Sequence, residues 1–109
     1  MSDIELLIDK LKQFNEARDW DQFHNPKDLA IAINIEAGEL LELFLWKKPE
    51  EANIEKIKEE IADILAFTLL LSSKYKLDVK QILLEKIEMN NIKYPVEKAK
   101  GTAKKYNEL

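Results

Sequence analysis

Apolar residues return every three or four positions along nearly the whole chain, beginning with Ile4, Leu7, Ile8, Leu11 and Phe14. That is the helical interval; a half-buried strand would alternate instead. With two glycines in 109 residues to interrupt such segments, the pattern favours an all-α protein over any sheet architecture. The length suffices for one core and is short for two. No Gly/Pro-rich linker or change of composition divides the chain, so a single domain is expected.

The stops in the sequence predict four helices. Ser2 with Glu5 three residues later has the form of a capping box and opens a helix running to about Ala17. In His24-Asn25-Pro26-Lys27-Asp28, Asn25 is a good N-cap, Pro26 suits the first helical position and Asp28 favours the positive helix end. That second helix should continue to about Trp46, where Lys47-Lys48-Pro49 stops it. A third begins between Glu50 and Ile54 and reaches about Lys76; Asp78 with Gln81 caps a fourth extending to about Asn91. Pro95 keeps Tyr94 out of the helical region, so the chain leaves the bundle there. The expected limits are a helical domain over residues 1–95 and a basic tail over 96–109. From Lys93 to Lys105 five lysines face one acid, Glu97. The segment reads either as a solvated, partly disordered tail or as a cover that closes over an anionic ligand.

The helical stripes carry acids where apolar residues belong. Advancing ~100° per residue from Leu29, Ile33, Leu40, Leu43 and Phe44 fall within about 60° of one line, and Glu36 falls at about 340°, in its middle. Glu39 lies about 60° from Glu36 at the edge, and Glu42 about 120° away, on the solvent side. On the third helix Ile57, Ile61, Ile64, Leu65, Thr68 and Leu71 make the stripe. Glu60 sits about 60° from it with Asp63 one near-turn on, and Glu59 faces further out. Antiparallel packing of these two helices across a short connection brings the pair Glu36/Glu39 opposite the pair Glu60/Asp63.

A buried carboxylate without a partner costs several kcal/mol or shifts its pKa until it is neutral, and crowding like charges worsens both. No Lys or Arg falls on either stripe. The remaining partner is a hard divalent cation that prefers carboxylate oxygens and water, Mg²⁺ by default with Mn²⁺ as a substitute. A single such glutamate would read more simply as half-exposed at a bundle end. Two i, i+3 pairs on adjacent helices favour the metal.

Net charge −4 argues against a general nucleic-acid-binding surface, which needs a basic face. The absence of cysteine excludes disulfides and thiolate metal sites and fits a reducing cytosol. The longest nearly uncharged run, residues 64–73, is half the ~20 residues of a membrane span. The N-terminus lacks a basic segment followed by an apolar one. A soluble, cytoplasmic protein that meets neither nucleic acid nor membrane is expected.

Glu36-Ala37-Gly38-Glu39-Leu40 followed by Glu59-Glu60-Ile61-Ala62-Asp63-Ile64 resembles the MazG-type all-α nucleoside triphosphate pyrophosphohydrolases, whose pattern is ExxE, a spacer, then ExxD. The resemblance extends over roughly residues 18–95, through Asp19 to Pro26, Leu43 to Lys47 and Asn90 to Pro95, and is nearest to the branch that includes the dCTP pyrophosphatases. It implies a four-helix MazG-type bundle in which Glu36, Glu39, Glu60 and Asp63 are catalytic Mg²⁺ ligands. It implies also that a nucleoside triphosphate is split into monophosphate and pyrophosphate. Trp20, His24 and Trp46 become candidates for the base and sugar, with a tryptophan stacking on the base. Asn90, Lys93 and Tyr94 become candidates for the polyphosphate. Outside the resemblance, the tryptophans would simply close the core and His24 would be an end-cap residue. Where dCTP-selective relatives carry a tyrosine four residues after the last acid, this chain has Phe67, which leaves open whether dCTP or a modified nucleotide is the substrate.

A second apolar face on the second helix (Ile31, Ile35, Leu41 and Leu45, with Gly38 among them) and a third helix apolar nearly all round demand more cover than a monomer of this size provides. Gly38 in mid-helix costs about 1 kcal/mol relative to Ala, tolerable where another backbone approaches closely. A homodimer or homotetramer is expected. Two other classes fit parts of the pattern: a non-catalytic helical module that holds a structural ion or a partner protein, and an enzyme like the phosphoribosyl-ATP pyrophosphohydrolases. A di-iron carboxylate bundle is disfavoured because Glu-x-x-His pairs are absent.

Overall fold

A computed structural model of the chain describes residues 1–109, and all their regular elements are helical, without strands. They form two compact units, Met1–Leu77 and Asp78–Leu109.

In the first unit α1 spans Asp3–Ala17, α2 Pro26–Glu42 and α3 Ile54–Lys74. Each start is fixed by a side chain that accepts from free N–H groups of the first turn. Ser2 and Glu5 form the reciprocal capping box. Asn25 accepts from the Asp28 amide at 2.9 Å ahead of Pro26. Asn53 accepts from the Glu55 and Lys56 amides, which sets the start of α3. Helix α3 is the centre of the unit, packed along α2 on one side and against α1 on another.

The sequence places the end of α2 near Trp46, but the regular helix stops at Glu42. Over residues 43–46 the ladder tightens to i→i−3 bonds, Leu43 to Leu40, Phe44 to Leu41 and Leu45 to Glu42. This is how a helix end satisfies its last carbonyls. Trp46 then turns into the left-handed region, φ 62°.

On α2 the expected stripe faces inward: Leu29 is fully buried and Ile33, Leu40, Leu43 and Phe44 are half-buried. On α3 the expected face is displaced. Ile61 and Leu65 remain 45% and 55% exposed, while Leu69 and Leu70 are buried. A helix that is apolar nearly all round has no single stripe, so its orientation is set by the two neighbours and not by its own periodicity.

In the second unit α4 spans Val79–Lys93, capped by Asp78 on the Gln81 amide at 3.0 Å. Tyr94 leaves the helix at φ −122°, as the following proline requires. A further four-residue helix, α5 (Val96–Ala99), and a 3₁₀ turn, Tyr106–Glu108, follow. The segment for which a partly disordered tail and a cover over an anion were the two readings carries these short elements, with Tyr106 edge-to-face on Tyr94. No helix is long and apolar enough to cross a membrane.

Candidate metal centre

Helix α2 presents Glu36 to α3, and α3 presents Glu60 and Asp63 in return. One carboxylate oxygen from each of the three lies within 4.8 Å of the others. Glu36 and Glu60 are half-buried and Asp63 is exposed. Glu39, one turn beyond Glu36, stands exposed at the border of this group, near enough for its charge to act on Glu36. Glu59 is exposed and outside the cluster.

No side-chain cation pairs with the carboxylates of the cluster. Glu36 Oε2 and Glu60 Oε2 are buried with no hydrogen-bond partner. Both ion pairs of the chain, Lys58 with Glu55 and Lys74 with Asp21, lie elsewhere. Burial above all, then the neighbouring carboxyls of Glu60 and Glu39 and the charge of Asp63, push the Glu36 carboxyl up from 4.5 to about 7. An all-oxygen donor set with two orphaned buried oxygens fits a hard divalent cation, which would convert repulsion into coordination.

The remaining candidates fall into separate places. Trp20 is half-exposed and packs edge-to-face on Phe14, centroids 5.6 Å apart. It precedes the 3₁₀ turn Asp21–Phe23, whose far end is His24. His24 is half-buried, edge-to-face against Phe67 of α3 at 6.1 Å, one turn past Asp63. Trp46 is 98% exposed, so it closes no core in this chain. In the second unit Asn90 and Lys93 lie in the last turn of α4 and Tyr94 follows it. The Asn90 carbonyl accepts from the Tyr94 amide at 2.8 Å, and the Lys93 ammonium lies over the Tyr106 ring at 4.8 Å.

One polar residue escaped the sequence reading. Asn15 is only 6% exposed, and its side-chain Nδ2 lies 3.2 Å from His24 Nδ1. The signal was present: counted from Ile4, Asn15 falls about 20° from the apolar line of α1, the same displacement of a polar residue onto a stripe that marks Glu36.

Carboxylates converging from two packed helices, with nothing cationic among them, define a helical protein with an acidic cluster that could hold a metal ion. A family model described as the MazG-like family matches residues 31–109. The chain is 38% identical over 105 residues to dCTP pyrophosphatase 1 of Bos taurus and 34% identical to that of Homo sapiens, matching 89% of its own length in each case. It spans 62% of the length of these curated relatives. A crystal structure of a pyrophosphatase from Archaeoglobus fulgidus superposes with a TM-score of 0.80 at 35% identity, covering 87% of this chain and 94% of that one. The chain belongs to the MazG-like family.

The raised carboxyl of Glu36 has a sign that can be measured. Between its ordinary 4.5 and about 7 the folded protein holds a proton that the unfolded chain releases, so without metal this group makes stability fall as pH rises across that window and level off above it. Wild type should therefore lose stability relative to Glu36→Gln from pH 4.5 to 7 in urea melts with chelator. Mg²⁺, by favouring the ionised form, should remove that loss. Identical pH curves with and without Mg²⁺ would take this cluster out of consideration as a cation site.

Proposed function

We propose that the protein is a Mg²⁺-dependent nucleoside triphosphate pyrophosphohydrolase that releases monophosphate and pyrophosphate by attack of water at the α-phosphorus. The observation that carries this reading is the carboxylate cluster of Glu36, Glu60 and Asp63 with its two buried, unpartnered oxygens. Its support is the likeness to proteins named as pyrophosphatases. Glu39, bordering the cluster, joins as fourth ligand.

Mg²⁺, or Mn²⁺ in its place, would supply positive charge against the phosphate oxygens and offset the charge growing on the departing pyrophosphate. The chain's own groups do the rest. A carboxylate of the cluster takes the proton of the attacking water as the oxygen–phosphorus bond forms and the bond to the bridging oxygen breaks. Trp20, His24 and Trp46 are assigned to base and sugar. Asn90, Lys93 and Tyr94 are assigned to the polyphosphate, Lys93 as a point charge and the other two as hydrogen-bond donors. The substrate class is a canonical or modified nucleoside triphosphate, dCTP among the first to test, hydrolysed in the cytoplasm as a house-cleaning reaction. The catalytic domain runs over residues 1–95, with the basic segment 96–109 appended to it.

Assembly as a homodimer or homotetramer of four-helix bundles belongs to the same proposal. Only Leu29, Leu69 and Leu70 among the large apolar residues are buried, while Ile31, Ile35, Leu41 and Leu45 stay exposed along one face of α2. A Cβ added to Gly38 on that face would meet nothing of this chain within 4 Å. The close approach that suits a glycine there is assigned to a second copy.

Digestion of a nucleotide panel in ¹⁸O-labelled water should place label in the monophosphate, with activity abolished by chelation and by Asp63→Asn while helicity is retained. Label only in pyrophosphate would overturn the mechanism. No product from any nucleotide would favour a structural-ion module instead. Trp46→Ala, which removes no packing from the protomer, should raise KM roughly ten-fold, since a stacked base is worth about 1–3 kcal/mol, with the melting temperature unchanged. An unaltered KM would remove Trp46 from the site. Light scattering should report a dimer or tetramer that Gly38→Leu reduces to smaller species; a wild-type monomer would refute the assembly.

A further inference from the structure

Asn15 is buried in α1, where a side-chain amide costs free energy unless it is bonded. Its partner is the only histidine of the chain. An amide nitrogen donates and cannot accept, so Nδ1 of His24, 3.2 Å away, must be the bare, accepting nitrogen of a neutral ring. The other ring nitrogen, Nε2, then carries the proton and has no partner within the protein. Phe67 meets the imidazole edge-on and has no polar atom to compete for it. The backbone holds the same arrangement: the carbonyl of Asn15 accepts from the Arg18 and Trp20 amides at 3.1 and 2.9 Å, and the His24 amide donates to Asp21 at 3.0 Å.

We infer that Asn15 is a positioning residue for His24: its amide fixes the imidazole as the Nε2–H tautomer and so presents a single N–H donor, suited to an acceptor oxygen or ring nitrogen of a nucleotide. The tautomer part stands on the geometry alone. The nucleotide part rests on the proposed function. Asp21 is near enough to the ring for the two to interact electrostatically, and its carboxylate is held by Lys74 at 2.8 Å, with Lys12 acting on Asp21 in turn. None of them bonds to the imidazole.

Because the chain has one histidine, its ring nitrogens can be read by ¹⁵N NMR without assignment, at a pH where imidazole is neutral and with no nucleotide present. Wild type should show a deprotonated-type shift at Nδ1 and a protonated-type shift at Nε2. Averaged shifts, or the reverse pattern, would overturn the inference without touching the pyrophosphohydrolase reading. Asn15→Leu keeps the shape of the side chain and removes the donor. Asn15 borders a cavity of about 380 Å³, which leaves room for the branched side chain. The variant should average the two shifts, and unchanged shifts would sink the proposal. Asn15→Asp offers an acceptor in place of the donor and should move the proton to Nδ1. It provides the same test should the leucine variant fail to fold.

In nucleotide assays Asn15→Leu should raise KM about three- to ten-fold, the worth of one oriented hydrogen bond, with a smaller change in kcat. A tautomer that shifts while KM holds would leave the ring fixed by Asn15 but overturn the nucleotide role. A wild-type protein without turnover would overturn the proposed function and leave the NMR outcome to decide the tautomer.

Discussion

The mutual repulsion of carboxylates across the α2/α3 seam is the constraint around which the first unit is organised. Packing these two helices creates most of the buried interior, and the same packing forces Glu36 and Glu60 together with their inner oxygens out of reach of water. A fold judged by apolar burial alone would place leucine at both positions. Keeping acids there costs stability in the free chain and concentrates negative potential at one point, which is the condition for strong binding of a small, highly charged cation. The chain belongs to the MazG-like family and is similar to proteins named as pyrophosphatases, and under the proposed function that potential holds the catalytic cation.

Around this point the unit divides its labour by rigidity. The three clustered acids sit on long helices, capped at Asn25 and Asn53, so their spacing is inherited from regular backbone. The residues assigned to the nucleoside stand on short or irregular segments instead. Trp20 and His24 flank a three-residue 3₁₀ turn, and Trp46 occupies a left-handed position where a bulky residue stores backbone strain. Metal chemistry tolerates little error in ligand position, whereas recognition of a flat base can be served by aromatic faces on segments that adjust.

Much of this was legible from residue order. Helix starts came from Ser2, Asn25 and Asp78 because a cap is a local contact between a side chain and amides two or three residues on. The inward placement of Glu36 followed from counting turns on α2, whose apolar and polar sides are distinct. The same count misjudged α3, where Ile61 and Leu65 were placed inside and Leu69 and Leu70 proved more buried. On a helix apolar all round, the choice of face belongs to tertiary contacts that no single-helix period encodes. The end of α2 was misplaced because its last turn tightens gradually without a glycine to mark the stop. Asn15 was passed over for a different reason: amides are common at helix ends, and only its bond to His24, nine residues on, separates it from a solvated asparagine.

The ion pair between Lys74 and Asp21 ties the last turn of α3 to the turn that carries His24, and both partners remain partly open to water. Attraction between exposed charges weakens as ionic strength rises, while repulsion inside a cluster of acids is relieved by the same screening. The middle and the last turn of α3 thus answer oppositely to salt: the acidic seam relaxes as the tether to the histidine turn slackens. Such a helix couples the two regions to the ionic composition around them.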